Sequence, residues 1–193
     1  YQADFTLFNT VGGGCQILAM MLLFPILRKV MDTIRIFYTC FGMAVTGYIL
    51  IIIISYTGTS NVKWLLIPAA LIMAAVGVLN VIITVFLANT VDYGELKNHR
   101  RDESVIFSMQ TFVVKLASGV AVFFAGLAIK WVGLIQPADG TSEVIEQSTG
   151  TLMGLSMMMT VVPIVLLIIG LVFFIRKYKL TEERMQEIMT KLR

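Results

Sequence analysis

The 193-residue sequence has little charge, few residues that break regular structure and almost no chemistry for metal binding. Charged residues make up 14% of it, and it contains four prolines, two cysteines and one histidine. A soluble chain of this length needs far more polar surface to cover a folded core. Cys15 and Cys40 define no disulfide framework and are interpreted as buried thiols. With His99 as the single histidine, a histidine-rich metal site within this chain is excluded.

The sequence also lacks the patterns of an enzyme or a nucleotide-binding protein. There is no glycine-rich phosphate loop, and no nucleophile can be matched with a base. The net charge of +3 is only a weak hint of nucleic acid. We therefore expect a chain that is not an enzyme, holds no cofactor or metal, and has no nucleic-acid partner.

What the sequence does have is hydrophobicity. Hydrophobic residues make up 58% of the chain, and the mean hydropathy is +0.86. Five apolar runs are each near or above the roughly 17–25 residues that cross a bilayer as a helix. They do not alternate apolar and polar residues with the period of two that membrane strands require. The sequence thus predicts an all-α membrane protein with five transmembrane helices, in the runs 11–27, 36–55, 64–89, 104–130 and 151–175.

Basic residues are concentrated in alternate connections between these runs. Twelve of the fifteen Lys and Arg residues lie in the first connection, the third connection or the tail after the last run. The positive-inside rule predicts that these segments are cytoplasmic, as is the carboxyl terminus, and five spans then place Tyr1 outside. The acidic residues of the longest connection are predicted to lie outside as well: Asp139, Glu143 and Glu146.

The two ends of the chain flank this five-helix part, 11–176. The chain opens without an initiator methionine or a hydrophobic entry segment, so we expect that a preceding helix is missing and that 1–10 is a remnant of an outer loop. The tail, 177–193, carries apolar residues at helical spacing, which suits a short amphipathic helix on the membrane or against the loops. These residues are Leu180, Met185, Ile188, Met189 and Leu192.

One lysine lies deep inside an apolar run. Lys115 is eleven residues beyond Ser104, and at about 1.5 Å per residue this places it near the middle of a hydrocarbon layer of about 30 Å. A cation facing lipid at that depth costs about 2.5–3.5 kcal/mol. Lys115 therefore either anchors helix packing against an acid or lines a water-filled translocation path, and the second is favoured because intramembrane ions usually mark such paths. Polar residues share its helix face, with Gln110 at the margin: Ser104, Ser108, Thr111 and Ser118.

Other spans carry weaker signals. Asn80 and Thr84 are four residues apart and share a face, so they either line the same cavity or bond neighbouring helices. Glycines suggest close helix contacts at 12–14 and at the Gly150-xxx-Gly154 spacing. The third connection, TVDYGELKNHRRDES, is the most specific segment, although charge alone predicts only a solvated loop with salt bridges of little net worth.

That connection resembles the signature of the glycoside-pentoside-hexuronide:cation symporters. This family of the major facilitator superfamily includes melibiose, lactose, glucuronide and xyloside permeases. The resemblance continues through 108–115, 146–148, Pro163 and 178–180. The residues that carry the signature are Asp92, Tyr93, Gly94, Glu95, Lys97, Arg101 and Glu103.

The resemblance implies a twelve-helix transporter of the inner cell membrane. The chain would supply helices VIII–XII after a remnant of the VII–VIII loop, and its partners would be the missing amino-terminal half, a sugar or glycoside, and membrane lipids. Uptake would be coupled to Na⁺ or H⁺ by alternating access. Two alternatives stay open: a facilitator-fold transporter of another solute such as a lipid or drug, and a membrane subunit that does not transport.

The resemblance also implies roles for individual residues. Lys115 aligns with the family's helix XI lysine, which supports coupling near the sugar and cation sites. Gln110 and Thr111 would face the cavity, with Ser108, Ser118, Asn80 and Thr84 as further lining candidates. The charged signature residues would close the cytoplasmic gate, and Tyr93-Gly94 would shape its turn. Two departures stand out: relatives often have Asp at Asn89, and Thr-Gly-Lys at 98–100.

Overall fold

A computed structural model describes residues 2–57, 63–134, 147–178 and 180–192, and within these residues the secondary structure is entirely helical. Asp139, Glu143 and Glu146 lie outside the described residues. Five helical stretches are long and apolar enough to cross a membrane, which confirms the predicted architecture: Phe5–Val30, Thr33–Tyr56, Trp64–Asn98, Glu103–Val132 and Thr149–Lys177. The elements in chain order are α1 (Gln2–Leu18), a π-helical turn (Ala19–Leu23), α2 (Phe24–Val30), α3 (Thr33–Tyr56), α4 (Lys63–Asn98), α5 (Glu103–Val132), α6 (Thr149–Lys177) and α7 (Glu182–Leu192).

The first span is longer than the sequence predicts. It is helical from Gln2, so residues 2–10 are not a loop but the first turns of α1. No proline or glycine precedes Gly12 in the sequence, and nothing stops the helix from starting early. Further along, Pro25 lacks an N–H and its ring crowds the carbonyl four residues before it. The helix widens there: the Phe24 N–H donates to the Ala19 carbonyl in a π-helical turn, and the chain passes into α2 without a break.

The core lies between α1, α3 and α4, and α3 also packs against α6. Ile36, Cys40 and Ile82 are fully buried in it. Aromatic rings extend this core across three helices, with the ring centroids of Phe37 and Phe174 4.2 Å apart. Cys40 is thus a buried thiol as predicted, whereas Cys15 is only half-buried.

Two glycines allow α1 and α4 to approach closely. A Cβ added to Gly77 would lie 2.7 Å from the backbone carbonyl oxygen of Gln16, which is closer than atoms of this kind can pack. A Cβ added to Gly12 would lie 3.4 Å from Met73. Of the other predicted pair, Gly154 lies against Val132 of α5, whereas Gly150 has only its own helix cap, Ser148, nearby. Small residues therefore fix the α1–α4 and α5–α6 contacts.

Gly77→Ala is expected to destabilise the protein by about 1–3 kcal/mol, because α1 must shift to make room for the new methyl group. The measurement is thermal unfolding in detergent, followed by far-ultraviolet circular dichroism. The matched control is Gly119→Ala on α5, where a Cβ has no neighbour within 4 Å. The control should melt at or above the wild-type temperature, since alanine favours the helix. Equal melting temperatures for the two variants would contradict the close contact.

Helix α5 packs against the rest of the described chain only near its two ends. Ile106, Phe107 and Gln110 are half-buried near its start, and 127–129 together with Val132 are half-buried near its end. Every residue from 111 to 126 is exposed. The middle of α5 is therefore uncovered by the described part of the chain, and this is where the sequence places its polar residues.

Candidate functional site

Lys115 lies in the uncovered middle of α5. Its side chain is exposed, and it makes no hydrogen bond or ion pair with any residue that the structure describes. The hydroxyls on the same helix face are satisfied by their own helix: Ser108 donates to Val105, Thr111 to Phe107 and Ser118 to Val114, at 2.9, 3.0 and 2.9 Å. Each hydroxyl oxygen keeps lone pairs that can accept a further hydrogen bond. The face thus offers one ammonium group among several acceptors.

The remaining polar candidates of the spans occupy different surroundings. Gln110 is half-buried, near the end of α5 that packs against the bundle. Asn80 and Thr84 are exposed on α4, on the side away from its buried residues, and Thr84 donates to the Asn80 carbonyl at 3.1 Å. Neither makes a hydrogen bond to Lys115 within the described residues. Apart from the hydrogen bond between Thr84 and the Asn80 backbone, the described structure does not join these polar groups, and their joint role stays a prediction.

The charged signature segment is mostly helix rather than loop. Since α4 continues to Asn98, Tyr93 and Gly94 are helical, and the prediction that they shape the turn is wrong. The turn lies beyond them: His99 has a left-handed φ of 52°, and its N–H donates to the Glu95 carbonyl at 2.9 Å. This conformation suits glycine and costs other residues about 1–2 kcal/mol. The glycine that the family resemblance predicts at this position would adopt the same conformation without that cost.

Arg101 gathers three carboxylates at the connection between α4 and α5. Its Nη1 donates to Asp92 at 3.2 Å and to Glu95 at 2.8 Å, and its Nε donates to Glu103 at 3.3 Å. The hydrogen bonds that Arg101 donates to Glu95 and Glu103 raise the pKa of its guanidinium above the ordinary value. Lys97 forms no ion pair with the described residues and stands apart from this group. We call Asp92, Glu95, Arg101 and Glu103 the Arg101 cluster; its formal charge is negative, because three carboxylates face one guanidinium.

Sequence reasoning missed a second charged contact, made by the tail helix. The Glu182 carboxylate accepts hydrogen bonds from the Thr33 N–H at 3.1 Å and the Thr33 hydroxyl at 3.0 Å, and it pairs with Arg28. It thereby satisfies a free N–H at the start of α3, a role that the side chain of the neighbouring Asp32 does not fill. The only signal in the sequence was the apolar spacing of the tail, which indicates a docked helix but not its partner.

Apolar burial holds the same helix in place. Met185 and Ile188 are 8% and 4% exposed, and α7 packs against α4. A cavity of about 650 Å³ lies beside it, and its lining joins the two charged contacts: Arg28, Thr33, Asn89, Asp92 and Glu182 are among its residues. The tail helix, the start of α3 and the Arg101 cluster therefore lie at one end of the bundle. We call it the basic end, because the Lys- and Arg-rich connections of the sequence lie there.

Glu182→Gln is expected to loosen α7. Partial burial acts to raise the pKa of Glu182, but the hydrogen bonds from Arg28 and Thr33 outweigh it and hold the pKa at about 2, against an ordinary 4.5. The charged contact thus stabilises the fold fully above pH 4.5 and is lost as the pH falls towards 2. For a partly exposed pair this amounts to about 1–2 kcal/mol after solvent screening.

Limited proteolysis of the tail at neutral pH measures this effect. Glu182→Gln should be cleaved several times faster than the wild-type protein, and the wild-type protein should approach that rate only near pH 2–3, tested with an acid protease. Glu183→Gln is the matched control, because Glu183 is exposed and forms no ion pair among the described residues. Equal cleavage of the Glu182 and Glu183 variants would show that apolar burial alone holds α7.

Comparison with known proteins adds to this geometry. The sequence model of the MFS/sugar transport protein family matches residues 2–182. A lactose permease of Lactobacillus delbrueckii subsp. bulgaricus is 25% identical over 169 residues, covering 88% of this chain and 26% of the permease. A putative sulfoquinovose importer of Salmonella typhimurium is 33% identical over 104 residues, covering 54% and 20%. A putative 2,3-dihydroxypropane-1-sulfonate exporter of the same organism is 28% identical over 106 residues, covering 55% and 22%.

The chain spans about a quarter of the length of these curated relatives. The family match nevertheless extends over nearly the whole chain, from the first span to the start of the tail helix. The matched region includes all or most of each of the five helices long enough to span a membrane, and it includes the charged segment between α4 and α5. The chain therefore belongs to the MFS/sugar transport protein family, in agreement with its resemblance to the glycoside-pentoside-hexuronide:cation symporters, and the relatives that it matches are transporters rather than enzymes.

Proposed function

We propose that this chain is the carboxy-terminal portion, helices VIII–XII, of a twelve-helix transporter that couples sugar or glycoside uptake to Na⁺ or H⁺. The observation that carries the proposal is Lys115, a charge in the middle of a membrane-spanning helix with no partner among the described residues. A cation at that depth needs water, a ligand or an acidic group beside it. Two relatives are named as a lactose permease and a putative sulfoquinovose importer, which supports a sugar or sugar derivative as the solute.

The uncovered middle of α5 then faces the other half of the transporter across the central cavity. The Lys115 ammonium balances acidic groups of that half while the coupling cation binds and leaves. Hydroxyl and amide groups beside it suit the many hydroxyls of a sugar, since each can accept or donate a hydrogen bond. Gln110, Thr111, Ser108 and Ser118 fill this role on α5, and Asn80 and Thr84 fill it on α4.

The Arg101 cluster serves as the carboxy-terminal side of a cytoplasmic gate. Its excess negative charge is uncompensated within the described chain, so it can pair with basic groups of the other half when the cytoplasmic side closes. Opening that side separates the two sets of charges as the halves rock about the central site. In this proposal, the basic end of the bundle and the carboxyl terminus lie in the cytoplasm, and the protein lies in the inner membrane.

Uptake by the full-length transporter in proteoliposomes tests the proposal. We expect one or more sugars or glycosides to accumulate in response to an inward gradient of Na⁺ or H⁺, and the accumulation to collapse with an ionophore. If no sugar in the tested panel is transported but another solute moves in response to the cation gradient, a second candidate function is favoured. That candidate is a transporter of a non-sugar solute, suggested by the relative named as a putative sulfonate exporter.

Residues 1–193 alone are expected to show no coupled uptake in the same vesicles. In this proposal, the acidic groups that face Lys115 belong to the other half, and without that half the uncovered middle of α5 has no facing surface. The measurement is accumulation of the sugar that the full-length protein transports, with empty vesicles as the baseline. Uptake above that baseline would show that the five helices form a complete site.

A further inference from the structure

A small crevice at the basic end is lined by no residue of the Arg101 cluster and none of α5. Its volume is about 350 Å³, and it lies between the end of α4, the end of α6 and the start of the tail helix. Among the residues that the structure describes, no carboxylate lines it, whereas two basic residues do. The lining consists of Thr90, Tyr93, Lys177, Tyr178, Leu180 and Arg184.

The two cations of this crevice have no internal partner. Lys177 and Arg184 are exposed, and neither forms an ion pair or a side-chain hydrogen bond among the residues that the structure describes. Glu183 and Glu187 of α7 line a second crevice, which shares Tyr93 and Arg184 with the first, but neither carboxylate forms an ion pair with Arg184 among the described residues. Two converging positive charges without a counter-ion attract an anion, and a guanidinium beside an ammonium suits phosphate oxygens.

The position of the crevice at the end of α6 indicates the source of that anion. Lys177 is the last residue of the apolar helix Thr149–Lys177, which is long enough to cross a membrane, and the end of such a helix lies near the level of the lipid headgroups. Tyr178 stacks on Phe174 with ring centroids 4.6 Å apart, and Tyr93 lies opposite on α4. Tyrosine is enriched at the level of lipid headgroups. Leu180 adds an apolar surface for the glycerol and the upper acyl chain.

We propose that this crevice binds the phosphate headgroup of an anionic phospholipid, held by Lys177 and Arg184 at the boundary between α6 and α7. A lipid is the occupant rather than a soluble phosphate, because the site opens at the end of a membrane span and includes an apolar wall. The bound headgroup joins α4, α6 and the tail helix at the end of the bundle where the tail docks. The inference is independent of the transported solute.

Native mass spectrometry of the purified full-length protein in detergent tests the site. Short-chain phosphatidylglycerol is titrated against short-chain phosphatidylcholine, with inorganic phosphate as a competitor. We expect the wild-type protein to prefer phosphatidylglycerol, and the variant Lys177→Gln/Arg184→Gln to lose that preference. The expected loss is about fivefold in affinity for each cation removed. Inorganic phosphate should not displace the lipid at millimolar concentration.

A matched control separates this site from general positive charge. Lys29→Gln/Lys191→Gln removes the same charge from exposed basic-end lysines that form no ion pair among the described residues. This control should keep the wild-type preference. Each single variant, Lys177→Gln and Arg184→Gln, should show about half of the logarithmic loss, which keeps the test valid if the double variant unfolds. The proposal is overturned if the crevice variants keep the preference, if the control loses it equally, or if inorganic phosphate competes with the lipid.

Discussion

Lys115→Met is expected to reduce cation-coupled uptake by the full-length transporter at least about tenfold, while leaving membrane insertion intact. A tenfold loss corresponds to about 1.4 kcal/mol. This free energy is smaller than the interaction energy of roughly 4 kcal/mol between two unit charges 4 Å apart at an effective dielectric constant of 20. Insertion should not suffer, because removing a cation from mid-membrane lowers the cost of insertion by about 2.5–3.5 kcal/mol. The measurement is initial uptake rate, normalised to the amount of transporter in the membrane.

The matched control for this prediction lies on the same helix. Lys130→Met removes a lysine from the last turn of α5, where it is also exposed and without an ion pair among the described residues. Because Lys130 lies at the membrane edge, its variant should transport at close to the wild-type rate. Normal uptake by Lys115→Met would refute the coupling role. Loss of the folded protein instead of loss of uptake would favour the structural interpretation of Lys115.

A second measurement reports directly on whether position 115 is wet. Lys115→Cys, in a background with Cys15 and Cys40 replaced by serine, should react with a water-soluble maleimide in the full-length protein. The expected rate is well above that of Phe123→Cys, a position on the same helix whose side chain is also exposed within this chain. If a central aqueous cavity is present, the cysteine at position 115 contacts water and reacts, whereas the cysteine at position 123 contacts lipid or protein and reacts slowly. Equal protection of both cysteines would contradict the cavity.

Arg101→Gln is expected to disrupt the connection between α4 and α5 and to reduce uptake several-fold. The substitution leaves Asp92, Glu95 and Glu103 close together without a counter-charge. Unit charges about 6 Å apart repel by about 1–3 kcal/mol at effective dielectric constants of 20 to 80. The defect should therefore diminish at high ionic strength, which screens exposed charges beyond a few ångströms. Amide hydrogen exchange across 95–106 measures the loosening, and uptake measures its consequence.

The neighbouring arginine supplies the control. Arg100 is 79% exposed, and among the described residues it pairs with Asp102 alone, at 3.0 Å, so Arg100→Gln should change exchange and uptake little. Arg101→Lys should rescue only partly, because an ammonium group keeps the charge but cannot present the fork of donors that reaches three carboxylates. Similar exchange rates in the Arg100 and Arg101 variants would show that the Arg101 cluster does not hold this connection.

Several features could be predicted because they depend on local composition. Apolar length alone identifies the five spans, and the depth of Lys115 follows from its distance along one helix. The extension of α1 back to Gln2 and of α4 through Tyr93 and Gly94 was not predicted. Helix ends depend on small differences between competing hydrogen bonds, and Arg101 reaching back to Asp92 and Glu95 favours the longer α4. A glycine inside a helix costs only about 1 kcal/mol, which this packing offsets.

The sequence by itself determined that the chain forms helices long and apolar enough to cross a membrane, five of them among the described residues. It also determined that the basic residues gather on alternate connections and that one lysine lies in the middle of an apolar run. The hydrophobic length of a segment and the charge of its flanks are local properties of the sequence, and they decide directly whether the segment spans a bilayer and in which orientation. Only the tertiary structure decided that Glu182 satisfies the start of α3 at Thr33, 149 residues away along the chain. It also decided that the middle of α5 is uncovered and that Lys177 and Arg184 converge on one crevice. Such contacts join distant residues, and they depend on how the helices pack rather than on any local pattern.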